Sequence, residues 1–143
     1  MKLQYIKQHP RAVPPRKAHD EDACFDLTAT ERGPVNNNSR VYSTGLVLIP
    51  PKGYDIDLYL RSSLAFKKDF ILTNSVAVID NGFRGTVKVK LTYVGNDTVP
   101  DWPRIGDRIV QGRLVKKVKT TFEEVTEIDE TERGDGGFGS SGE

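Results

Sequence analysis

Alternation with a period of two, Gly/Pro punctuation and a near-absence of helical patterning predict an all-β domain, a jelly-roll-like barrel or sandwich. In residues 85–93, Val87, Val89, Leu91 and Tyr93 point one way while Thr86, Lys88, Lys90 and Thr92 point the other, as in a strand with one buried face. Residues 54–60 repeat the pattern, with Ile56, Leu58 and Leu60 as the buried set. Breakers such as Pro50-Pro51-Lys52-Gly53 and Val94-Gly95-Asn96-Asp97 separate these runs. Many short strands joined by such turns build two packed sheets or a closed one.

Taken in order, Asp22-Ala23-Cys24-Phe25-Asp26-Leu27 is an apolar strand carrying a carboxylate; Asp26 is a turn or ladder partner, or it holds a metal-bound water. Residues 40–49, 70–79 and 108–125 are further β-rich runs, and only residues 62–68 read as a helix. Asp80-Asn81-Gly82 signals a tight hairpin into the 85–93 strand, because Asn and Gly tolerate positive φ. Asp80 is then either an ordinary turn acid or a carboxylate at a pocket mouth, able to deprotonate a water. Residues 1–126 are expected to form the β-domain. Residues 127–143 are expected to be an acidic tether and a Gly-rich C-terminal lid rather than a second domain.

A net charge of +1 lacks the basic face that a nucleic acid polymer requires. One cysteine, Cys24, makes no internal disulfide. Residues 1–11 are polar, without the apolar run of a signal peptide, and no stretch reaches transmembrane length. The expectation is a cytoplasmic protein with no membrane partner. His9, His19 and Cys24 have no metal-ligand or triad spacing.

Three further segments carry groups suited to chemistry. Leu60-Arg61-Ser62-Ser63-Leu64-Ala65 places a planar cation and two hydroxyls at a helix start, which suits a phosphate or a simple cap. Gly106-Asp107-Arg108-Ile109-Val110-Gln111 puts an amide on a strand. Last is Arg133-Gly134-Asp135-Gly136-Gly137-Phe138-Gly139-Ser140-Ser141-Gly142-Glu143. On composition alone it is a Gly/Ser tail. Yet Phe138 has no local apolar partner and suits base stacking, while Arg133, Ser140 and Ser141 suit phosphate.

In this order the segments resemble the five motifs of the homotrimeric dUTPase (deoxyuridine 5'-triphosphate nucleotidohydrolase) family. Ala23-Cys24-Phe25-Asp26-Leu27 is similar to the first and Arg61-Ser62-Ser63-Leu64-Ala65 to the second. Asn74 with Val78-Ile79-Asp80-Asn81-Gly82-Phe83-Arg84-Gly85 is similar to the third, Gly106 to Gln111 to the fourth, and the tail to the fifth. The resemblance implies a jelly-roll trimer whose three sites lie between subunits, each closed by a neighbour's tail. It implies hydrolysis of dUTP to dUMP and pyrophosphate, with Asp80 as general base for water attacking the α-phosphorus. Asn74, Val78, Ile79 and the Asp80 turn would bind uracil, and Phe83 would pack under the deoxyribose. Arg61, Ser62, Ser63 and Gln111 would hold phosphates. Mg²⁺ would ride on the triphosphate, with Asp26 touching it through water. Arg133, Gly139, Ser140 and Ser141 would grip the outer phosphates while Phe138 stacks on the base.

This chain departs from the family pattern at Phe83, where Tyr is usual, at Cys24, at Ser141 in place of Thr, and at Gly112-Arg113. A dCTP deaminase, or its bifunctional form, shares the Arg-Ser-Ser and Ile-Asp segments. It also needs a Glu where this chain has Lys90, and Lys88 does not supply one. A dUTP-binding regulatory module without turnover is the reading from another class.

Overall fold

The computed structural model describes residues 1–137. Among them run β1 (Gln4–Lys7), β2 (Phe25–Thr28), β3 (Glu31–Asn36), β4 (Ser39–Ser43), β5 (Leu46–Ile49), β6 (Tyr54–Leu60), α1 (Ser62–Lys68), β7 (Phe70–Leu72), β8 (Ala77–Ile79), β9 (Lys88–Tyr93) and β10 (Arg108–Lys116). One antiparallel sheet has the order β2-β10-β6-β8, a second β3-β4-β9-β7, and β1 pairs with β5 in a ribbon. Phe25, Leu27, Ile56, Leu58, Ile79 and Val110 of the first sheet meet Tyr42, Phe70, Leu72, Val89, Leu91 and Tyr93 of the second in one core. Among the described residues neither sheet closes on itself, so the fold is the sandwich rather than the barrel.

The alternating faces fall as expected: Val87, Val89, Leu91 and Tyr93 are buried, as are Ile56 and Leu58, whereas Leu60 is half-buried. Three runs are shorter than the sequence suggests. Residues 40–49 break at Gly45 (φ +64°) into β4 and β5, which join different sheets. Residues 70–79 break at a turn where Ser75 has φ +61°, giving β7 and β8 in different sheets. The run 108–125 ends as a strand at Lys116, opposite Tyr54, because its partner β6 begins there. Beyond that point Phe122 is 96% exposed.

The Asn81-Gly82 turn is real, but it is not the expected hairpin. The Phe83 N–H donates to the Asp80 carbonyl at 3.0 Å, yet neither Asn81 nor Gly82 has positive φ. The flanking strands β8 and β9 lie in opposite sheets, so the turn crosses the sandwich. Asn81 is there for another reason. Its Nδ2 donates to the carbonyls of Pro50 (3.2 Å), Pro51 (2.9 Å) and Tyr54 (2.9 Å), and its N–H to Asp55 Oδ1 (2.7 Å). The two-residue hairpin with both φ positive is Asn37-Asn38 (47° and 56°), between β3 and β4.

Gly112 also finds its reason. A Cβ there would sit 2.8 Å from Leu58 Cδ2 and 2.8 Å from the Phe25 ring, both of them core side chains without room to yield. Gly112→Ala is therefore expected to destabilise by about 1–3 kcal/mol through overpacking, measured by urea unfolding; an unchanged midpoint would contradict this packing.

Candidate active site

At one end of the first sheet, three adjacent strands align polar side chains in a row. The register sets Gln111 of β10 opposite Asp26 of β2 on one side and Tyr59 of β6 on the other. Directly opposed residues share a face. Arg61 follows the last residue of β6 and donates from Nε to Asp26 Oδ1 at 2.9 Å, while Arg108 Nη1 donates to Asp26 Oδ2 at 2.9 Å. Gln111 Nε2 donates to the Leu60 carbonyl at 3.2 Å. With Ser62, Cys24 and Asp22 they line a cavity of about 300 Å³. Ser63 follows on α1 and is half-buried. The residue capping α1 is Arg61, without a side-chain cap bond, so the serines are not the cap. Both oxygens of Asp26 are thus occupied by cations, leaving two guanidinium groups against one bridging carboxylate.

The remaining candidates lie elsewhere. β8 is an edge strand, so one side of its backbone is unpaired. Asn74 sits in the turn before it and Asp80 immediately after it, both exposed; Val78 is exposed and Ile79 buried. Phe83 lies 43% exposed with its ring over Gly85, where a Cβ would come within 2.5 Å of Phe83 Cζ. Arg84 Nη1 ties the turn by donating to the carbonyls of Asn81 and Phe83.

These two groups do not meet within one chain. Since Ile79 pairs with Ile56, Asp80 stands level with Asp55, and Arg61 lies six residues further on, just past the end of β6. At the rise of an extended strand that is about 20 Å. Asn74 and Asp80 flank β8 at its two ends. Arg133 is exposed and donates from Nε to the Gly136 carbonyl at 3.0 Å. The candidates Phe138, Gly139, Ser140 and Ser141 lie outside the described residues.

Arg108 joins the pocket only in the structure, because nothing in its sequence spacing separates a surface arginine from a pocket one. Lys88 and Lys90 are exposed on β9, where a deaminase would need an acid. Among the described residues no three His, Cys, Asp or Glu side chains gather to hold a metal, and no helix is long and apolar enough to cross a membrane.

Comparison with known proteins closes the assignment. The profile of the dUTPase family matches residues 11–142. A deoxyuridine 5'-triphosphate nucleotidohydrolase of Helicobacter pylori is 36% identical over 143 residues, spanning 99% of this chain and 97% of the relative. The Wolinella succinogenes enzyme of that name is 37% identical, over 99% and 95%. In fold, the chain is similar to a dUTPase of Staphylococcus bacteriophage 80alpha solved with dUpNHpp, with a TM-score of 0.84, 23% identity and coverage of 99% and 98%. It is also similar to the dUTPase of phage phi11 of S. aureus, at 0.76, 19%, 92% and 100%. The chain belongs to the dUTPase family.

Proposed function

We propose that this chain is a cytoplasmic dUTP diphosphatase acting as a homotrimer, which limits uracil incorporation into DNA and supplies dUMP. The observation that carries this reading is the cavity at the β2-β10-β6 end, where Arg61, Ser62 and Gln111 converge around Asp26. Guanidinium and hydroxyl groups in that arrangement suit a polyphosphate, whose transfer chemistry asks for position and charge neutralisation more than for covalent help.

Asp80 deprotonates a water, and the oxygen attacks the α-phosphorus; the bond to the β-phosphate oxygen breaks, leaving dUMP and pyrophosphate. Asn74 and the unpaired backbone of β8 at Val78 and Ile79 read the uracil edge. Phe83, firm over Gly85, floors the deoxyribose and leaves no space for a 2′-hydroxyl. The missing Tyr hydroxyl at this position does not alter that ring contact. Ser63 joins the phosphate contacts from α1. Because Asp80 stands about 20 Å from Arg61, the base and the phosphate pocket of one site come from different subunits.

Mg²⁺ fits this donor set in one way only. Of the two carboxylates lining the cavity, Asp26 already accepts from two arginines and Asp22 from the His19 N–H, so the ion would be held chiefly by the triphosphate and water, as its hydration preference favours, with Asp26 reached through water. When bound, it neutralises charge on the triphosphate.

Residues 1–126 form the body, and residues 127–143 an arm that closes the site, with Arg133, Gly139, Ser140 and Ser141 on the phosphates and Phe138 on the base. Base–aromatic stacking contributes about 1–3 kcal/mol, so a chain ending before Arg133 is expected to fold and trimerise but lose most activity. Full activity in that chain would reduce the lid to a tail. The function itself is tested by incubating the protein and Mg²⁺ with dUTP, dCTP, dTTP and UTP in turn. Pyrophosphate from dUTP alone is expected; ammonia from dCTP would instead favour a deaminase.

A further inference from the structure

We propose that Arg108 is a further phosphate-binding residue of this site, delivered to the pocket by a bulge in β10. The proposal rests on the cavity being a polyphosphate site, as argued above. Arg108 pairs with Thr28 of β2, and Val110 with Leu27, so two steps along β10 match one step along β2. Ile109 is the extra residue. Such an insertion reverses the alternation of side chains beyond it.

The consequence for Arg108 is direct. In a regular strand it would share the face of Val110, which is fully buried in the core. With the bulge, Ile109 and Val110 both turn inward, each fully buried, and Arg108 emerges on the face of Asp26 and Gln111 with half its side chain exposed. Bulges beside active sites commonly re-aim a side chain in this way. Here the side chain re-aimed is a cation, and it lines the cavity with Arg61 and Gln111.

Arg108 is stationed, not consumed. Of its five N–H donors one is spent among the described residues, on Asp26 Oδ2. Asp26 thus serves as the resting counter-ion for two guanidinium groups, spaced by the width of its own carboxylate. A triphosphate carries several anionic oxygens along its length, and two arginines held apart can grip different phosphates. Half-exposure keeps the desolvation cost of Arg108 small at rest and leaves it able to swing toward a ligand.

The experiment measures binding of inorganic tripolyphosphate with Mg²⁺ by calorimetry, alongside dUTP kinetics. Arg108→Gln is expected to weaken tripolyphosphate, and to raise KM for dUTP, by about tenfold, the size of one charge-assisted hydrogen bond. Inhibition by deoxyuridine, which has no phosphate, is expected to stay unchanged. The loss should persist when Arg108→Gln is made in an Asp26→Asn background. If it vanishes there, Arg108 only holds Asp26 and through it Arg61, and the proposal falls. Unchanged tripolyphosphate affinity overturns it as well. Arg108→Lys covers the case of an unstable Gln variant, with an affinity expected between the two and wild-type affinity counting against the proposal. A wild-type protein that binds tripolyphosphate but leaves dUTP intact would refute the diphosphatase reading and not this one.

Discussion

Replacing Asp80 with Asn is expected to cut dUTP turnover about 1,000-fold while leaving dUTP binding nearly intact, as removal of a general base does. The side chain has no evident structural duty to confuse the result. None of the ion pairs among the described residues uses its carboxylate. The turn that carries it is held by other groups: the Asn81 amide on three carbonyls, the Asn81 N–H on Asp55, and Arg84 on the carbonyls of Asn81 and Phe83. Asn at position 80 keeps the size and the turn preference of Asp, so the fold should survive. An exposed acid on a rigid turn, free of structural partners, is what a base needs in order to meet a water. Pyrophosphate release measures the rate, and equilibrium dUTP binding measures the affinity. Unchanged turnover would remove Asp80 from the mechanism.

Much of the sandwich was legible because a strand with one buried face carries a period of two. The Val87 to Tyr93 set and the Ile56–Leu58 pair show it plainly, and the helix at Ser62–Lys68 falls where that period is missing. Strand ends were less legible, because an apolar run does not say which sheet it joins. The breaks at Gly45 and Ser75 depend on where partner strands lie, and so does the stop at Lys116. Asn81-Gly82 differs from its expected hairpin for a related reason: turn chemistry is local, whereas the Asn81 amide serves three carbonyls about thirty residues earlier in the chain.

The site divides in the same manner. Asp26, Arg61 and Gln111 were marked by residue type, and the strand register brings them together. Arg108 was hidden because its direction depends on one inserted residue, a feature with no local sequence sign. Gly112 looked like a departure without cause until the Leu58 and Phe25 side chains filled the space its missing Cβ leaves.

Base and phosphate pocket are expected to come from different subunits, because one chain sets them at opposite ends of a sheet. Two variants test it, Asp80→Asn at one end and Arg61→Ala at the other, each nearly inactive alone. Unfolded together in equal amounts and refolded as mixed trimers, they should recover activity. A site pairing Asp80 of one subunit with Arg61 of its neighbour is intact in about a quarter of random pairings. The measurement is dUTP turnover of the mixture against the two variants refolded separately. Recovery toward about a quarter of the wild-type rate is the expected result; a mixture no more active than its parts would place the whole site within one chain and rule out a shared site.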